Sequence, residues 1–141
     1  MFTPTIYFPE IDSKTQTMPL KGSKLHHLRK VLRMKDFDNV NISNGQGQLF
    51  IGKFVNDSVQ ITTLKNFQRK NKICIFIPYL REKNRFRFMV EKLTELNVNK
   101  IYIGKTENTQ NTKVDSLKIH NWAISALEQS GTPFFPKIET T

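Results

Sequence analysis

GSKLHHLRKVLRMKDFDNVNISNGQG, residues 22–47, holds a short helix, a turn and the opening of a hairpin. Ser23 is a natural N-cap, since its hydroxyl can accept from a first-turn N–H that has no helical partner. At about 100° per residue, Leu25, Leu28, Val31 and Leu32 fall on one side, and His26, Arg29, Lys30 and Arg33 on the other. One face is expected to pack inward while four cationic or protonatable groups share the opposite arc. Such a stripe is most often a solvated face. Asn44-Gly45 is a strong hairpin signal, because both residues tolerate positive φ.

On the N-terminal side, Ile6-Tyr7-Phe8 reads as a short strand closed by Pro9, and residues 10–22 as a polar loop. On the C-terminal side, Val40 and Ile42 alternate into a strand. Gln48–Val55 and Ser58–Leu64 come next as strands joined through Asn56-Asp57. Several short strands with one helix among them predict a small, partly closed β-barrel. The polar, basic stretch Asn66–Lys72 reads as a linker.

The periodicity then changes. Ile73–Ile77 is apolar without alternation, the pattern of a strand covered on both faces. Asn84–Asn97 is helical, with Phe86, Met89, Val90, Leu93 and Leu96 at spacings of three and four. Ile101-Tyr102-Ile103 is a second short strand. A polar loop over Lys105–Asp115 leads to a helix over Ser116–Ser130, with Leu117, Ile119, Trp122, Ala123, Ala126 and Leu127 inward and Gly131 as its stop. A third strand begins in Phe134–Ile138. The order β-α-β-α-β opens an α/β sheet, and no glycine-rich phosphate loop accompanies it.

The 141 residues carry 22 Lys and Arg against 12 Asp and Glu, a formal charge of +10. Residues 1–70 hold 11 basic and 5 acidic side chains and residues 71–141 hold 11 and 7, so the excess is spread rather than confined to a tail. A folded, uniformly basic chain most often meets a polyanion, nucleic acid first. No apolar run is long enough to span a bilayer, and Met1–Glu10 lacks the pattern of a signal peptide. Cys74, the only cysteine, lies in the apolar run and is expected to be a buried structural thiol. One cysteine excludes an internal disulfide and a cysteine-based zinc cluster, which makes a reducing, cytoplasmic setting the default. The three histidines lack metal-ligand spacing, so no metal site is expected.

His27-Leu28-Arg29-Lys30-Val31-Leu32-Arg33 followed by Asn44-Gly45-Gln46-Gly47 is similar to the "H-L-x-x-V-L-R … D-G-x-G" signature of the RsmE family. Members of that family are S-adenosylmethionine-dependent methyltransferases that modify uridine N3 in small-subunit (16S) ribosomal RNA. Glu91-Lys92-Leu93-Thr94-Glu95-Leu96-Asn97-Val98 resembles its "x-K-x-T-E-L-G-V". Thr106-Glu107 stands where it has "T-E-R", and Ala126-Leu127-Glu128-Gln129-Ser130 resembles "A-x-E-Q-S/C". The blocks occur in the family's order. Three positions depart from the pattern: Asn97 for a glycine, Asn108 for an arginine, and Thr132 where an arginine is common.

The resemblance implies an N-terminal PUA-like β-barrel that grips RNA, residues 1–68, followed by the N-terminal part of a SPOUT-type open α/β sheet, residues 69–141. It also implies ribosomal RNA or the small subunit as partner, S-adenosylmethionine as cofactor, and a homodimer. The family's donor site lies in a C-terminal knot with "G-P-E-G-G", which is not found before Thr141. Residues 1–141 are therefore expected to hold no cofactor-binding residues and to form a monomer or weak dimer.

His26, Arg29, Lys30 and Arg33 are the first candidates for phosphate contact, which fixes RNA register without reading sequence. Arg81, Arg85 and Arg87, with Lys83, form a second cluster at the end of the first α/β strand, where an open-sheet site forms. Phe86 and Phe88 interleave with them and suggest base stacking, although Phe86 is on the core face. His27, Glu95, Glu128 and Gln129 are the polar residues of the resembling blocks. Glu107, in a loop after a strand, is the candidate for a catalytic group. Two other readings stand beside the enzyme: a non-catalytic RNA-binding module and a basic protein-interaction domain.

Overall fold

A computed structural model describes residues 2–107 and 115–141, so Asn108 lies outside the described residues. β1 (Thr5–Tyr7), β2 (Thr17–Pro19), β3 (Asn39–Ser43), β4 (Gln48–Val55) and β5 (Ser58–Asn66) form one curled sheet in the order β1-β3-β4-β5-β2. β4 and β5 turn through Asn56 and Asp57, both at positive φ, as the tight hairpin demands. Alternate residues of these strands (Val40, Ile42, Phe50, Phe54 and Val59) point inward and are fully buried with Leu28. This is the expected barrel. β2 is the exception: the stretch read as loop holds a three-residue edge strand paired with β5, too short and too polar to show a period.

The helix is not uniform. α1 (Gly22–His26) passes into a π-helical turn (His27–Val31), in which Leu32 N–H donates to His27 O at 2.9 Å. The extra residue in that turn rotates the side chains after it about the helix axis. Val31, expected inward, is therefore 60% exposed, while Leu28 stays at 1%. The N-cap is Lys21 rather than Ser23 and makes no side-chain cap bond.

β6 (Cys74–Pro78), β7 (Lys100–Gly104) and β8 (Lys137–Thr140) form a parallel sheet in chain order. Parallel crossovers are right-handed almost without exception, so two that step the same way place both connecting helices on one face. α2 (Lys83–Glu95) buries Phe86 and Val90, and α3 (Ser116–Ser130) buries Ile119, Ala123, Ala126 and Leu127. Glu82 caps α2, and Gly131, at φ 71°, ends α3 as expected. Cys74 is the main correction. It is exposed, and so is Phe76 at 54%, because one face of the sheet carries no helix among the described residues. Leu117, expected inward, is exposed at the first turn of α3. No helix of the described residues is long and apolar enough to cross a membrane.

Candidate nucleic-acid interface

The barrel and the α/β unit meet along the hairpin loop after β3. The Tyr7 ring stacks on Phe135 with centroids 5.0 Å apart. Gly45, at φ +73°, sits against both; a Cβ there would lie 2.8 Å from Phe135 Cβ and 2.8 Å from Tyr7 Cε1. Backbone bonds cross the junction, Phe135 N–H to Gly45 O at 2.8 Å and Gly47 N–H to Pro133 O at 2.9 Å. The buried Ser43 hydroxyl donates to Thr132 O at 2.9 Å. From the linker, the Arg69 guanidinium donates to Asn97 O, Val98 O and Phe135 O and lies over the Phe134 ring. The segment read as a linker is thus anchored. Its signal in the sequence was only a single arginine among polar residues.

Above this junction α1 and α3 face each other across a cleft of about 750 Å³. Ser23, Lys24 and His27 line one wall, and Asn121, Ser125, Glu128 and Gln129 the other. Ile6, Leu28 and Ile124 supply apolar lining. Glu128 Oε2 accepts from Tyr7 N–H at 2.9 Å, and Lys24 Nζ donates to Tyr7 O, so an anion and a cation bracket the backbone of one residue of β1. Burial pushes the Lys24 ammonium below the ordinary lysine value, and the carboxylates of Glu128 and Glu10 oppose that shift. Burial, with Glu10 nearby, pushes the Tyr7 hydroxyl up. An apolar lining with a few convergent polar groups is the composition of a ligand site, here of a size for one nucleotide unit.

Three of the motif residues, His27, Glu128 and Gln129, come together in this cleft although 101 positions separate His27 from Glu128. Glu95 does not join them; it pairs with Lys92 at 2.9 Å on the surface of α2. Lys24, Asn121 and Ser125 also line the cleft and were not singled out by sequence, since a lysine on a helix in a basic chain carries no distinguishing pattern. His26, Arg29, Lys30 and Arg33 are all exposed. Arg29 is ion-paired with Asp57 and lies over the Phe54 ring, so part of its capacity serves the barrel.

Arg81, Lys83 and Arg85 are exposed at the carboxyl end of β6 and the start of α2. Arg87 is ion-paired with Glu91. Phe86 is fully buried and closed to stacking, whereas Phe88 is 60% exposed. Glu107 is exposed beyond β7. Two departures from the motif answer each other. Asn97 stands at φ 62°, a conformation that Asn tolerates after Gly, and its Oδ1 accepts from Thr132 Oγ1. Thr132 Oγ1 in turn accepts from Phe134 N–H at 3.2 Å.

The fold has relatives. Residues 67–141 match the family described as RNA methyltransferase domain, and residues 20–62 the RNA methyltransferase PUA domain. Ribosomal RNA small subunit methyltransferase E of Buchnera aphidicola subsp. Schizaphis graminum is 32% identical, across 96% of this chain and 60% of that one. The protein of the same name from Buchnera aphidicola subsp. Acyrthosiphon pisum is 28% identical, across 96% and 58%. A probable rRNA-methyltransferase from Porphyromonas gingivalis superposes with a TM-score of 0.79 at 25% identity, covering 98% of this chain and 60% of that one. A Legionella pneumophila protein described as a methyltransferase, solved with the cofactor SAM bound, gives 0.76 at 25% identity, covering 99% and 63%. The chain spans about three fifths of the length of these relatives. With its second half matched as an RNA methyltransferase domain and its first as the PUA domain that goes with it, the chain belongs to the RsmE family of RNA methyltransferases.

Proposed function

We propose that this chain supplies the RNA-placing barrel, residues 1–68, and the opening of the methyl-transferring unit, residues 69–141, of a SAM-dependent enzyme that methylates uridine N3 in small-subunit ribosomal RNA. The observation that carries this reading is the cleft, where the barrel helix sets Lys24 and His27 opposite Glu128 and Gln129 of α3. The names of the Buchnera relatives and the SAM bound to the Legionella protein point the same way.

Methylation at N3 needs the N3 proton lost or its acidity raised, and the ring held in line with a methyl donor. The protein's part is then mostly positioning and stabilisation of an anionic uracil. SAM would supply the electrophilic methyl group. The carboxyl ends of β6, β7 and β8 offer Pro78, Gly104 and Thr140, with Glu107 beyond β7. Among the described residues these ends carry too few polar side chains to hold a sulfonium nucleoside. His26 and Lys30 hold phosphates along the outside of the barrel helix, and Arg33 just past its end. Lys24, half-desolvated at the mouth of the cleft, favours an anionic group there more strongly than an exposed lysine does.

Binding of a labelled small-subunit rRNA fragment, followed from low to high salt, tests this. Log affinity should fall linearly with log salt, by about 0.7 per phosphate contacted on a single strand. The combined variant K30A/R33A should bind more weakly with a shallower slope. Absent binding, or binding indifferent to salt, overturns the reading.

A further inference from the structure

Resting on that RNA reading, we propose a second contact: Phe88 and Arg85 form a stacking subsite for one base of single-stranded RNA at the carboxyl end of β6. α2 has already filled its core face with Phe86 and Val90, so packing does not explain Phe88. Its ring is 60% exposed on the rim of a shallow hollow of about 460 Å³, shared with Leu80, Arg85 and Met89. Lys92 Nζ lies 5.7 Å from the ring centroid on one side. Arg85, one turn earlier, has no ion-pair partner among the described residues. An aromatic face among cations is the composition that binds a base and its phosphate together, with a tolerance for sequence that comes from every base having a π-face.

One carboxylate, Glu82, also lines the hollow, and it is already committed. Its two oxygens accept from Asn84 N–H and Arg85 N–H, each at 2.9 Å. The first amides of α2 are thereby closed to a phosphate, and the Arg85 guanidinium is left as the anion's partner. The site also has the right place in the fold. Open α/β sheets take ligands outside the carboxyl ends of their strands, and β6 ends at Pro78, a few residues before Arg85. We place this subsite on the same RNA strand that the barrel helix and the cleft hold.

Oligouridylate eight nucleotides long, end-labelled, is the probe for anisotropy titrations with the full chain. F88A should bind roughly tenfold more weakly at every salt concentration with the slope unchanged, as loss of a stacked base requires. R85A should flatten the slope by about 0.7, and F88W should restore affinity. Because Phe88 is exposed, circular dichroism of F88A should match that of the wild type. Oligouridylate carrying 4-thiouridine should photo-crosslink to the peptide that contains residue 88. F88A binding as tightly as wild type, or crosslinks confined to the barrel, overturns the subsite while leaving the RNA reading intact. A wild-type chain that fails to bind RNA overturns both.

Discussion

The curled sheet and the parallel sheet solve the problem of burial differently. The first wraps its apolar face around Phe50 and Phe54 and closes over Leu28 of the barrel helix, so every second residue of β4 from Phe50 to Phe54 is buried while its neighbours are half-buried or exposed. Among the described residues the second is covered by α2 and α3 on one face only. Across its other face Phe76 is 54% and Tyr102 37% exposed, with Cys74 beside them. Both sheets carry apolar strand residues. What separates them is topology: three strands in chain order, with both crossovers on one side, cannot cover two faces. An apolar run therefore reports what a strand can bury, not what lies against it.

The largest expected effect comes from breaking the junction between the two regions. G45A adds a Cβ into Phe135 and Tyr7 at a positive φ and should destabilise the chain by about 3 kcal/mol, seen as a lower urea midpoint. If the two regions unfold independently, two transitions will replace one. Next is R69A, which strips three carbonyls of a charged donor and should cost about 2 kcal/mol; R69K recovers little, since an ammonium lacks the planar fork.

E128Q is milder, about 1 kcal/mol, because the amide still accepts from Tyr7 N–H. Its sharper readout is the Lys24 titration by NMR. Glu128 raises the Lys24 value against burial, so removing that charge lowers it further. A lysine whose folded value lies below its unfolded one gains stability as pH rises between the two, and E128Q extends that window to lower pH.

Smallest is the half-buried pair between Lys100 and Glu139, 2.9 Å apart on the parallel sheet. The bond from Lys100 holds the Glu139 carboxyl below its ordinary value of 4.5, so the pair's contribution is present above that pH and lost as pH falls below it. High salt should erase it, and E139Q should remove the acid dependence. On the same face, Cys74 should react with Ellman's reagent in the native chain; protection of the thiol would mean that something covers this face.

Much of this was legible in residues 1–141. The hairpins at Asn44-Gly45 and Asn56-Asp57, the helix from Lys83 and the stop at Gly131 arise from local chemistry. The π-turn was not legible, because HLRKV reads equally well with 3.6 residues per turn, and Val31 was misplaced as a result. β2 carries no period in three residues. The cleft was half-legible. His27, Glu128 and Gln129 were marked by motif, but only the packing of α3 against the barrel joins them, and Lys24 is marked by nothing but its position.

One RNA strand is proposed to run from the barrel helix to the start of α2 across both regions. Amide hydrogen exchange with and without a bound small-subunit rRNA fragment tests it most directly. Protection is predicted over residues 22–33 and again over 81–92 in the same complex. Protection confined to one of these stretches, with the other exchanging as in the free chain, would contradict it.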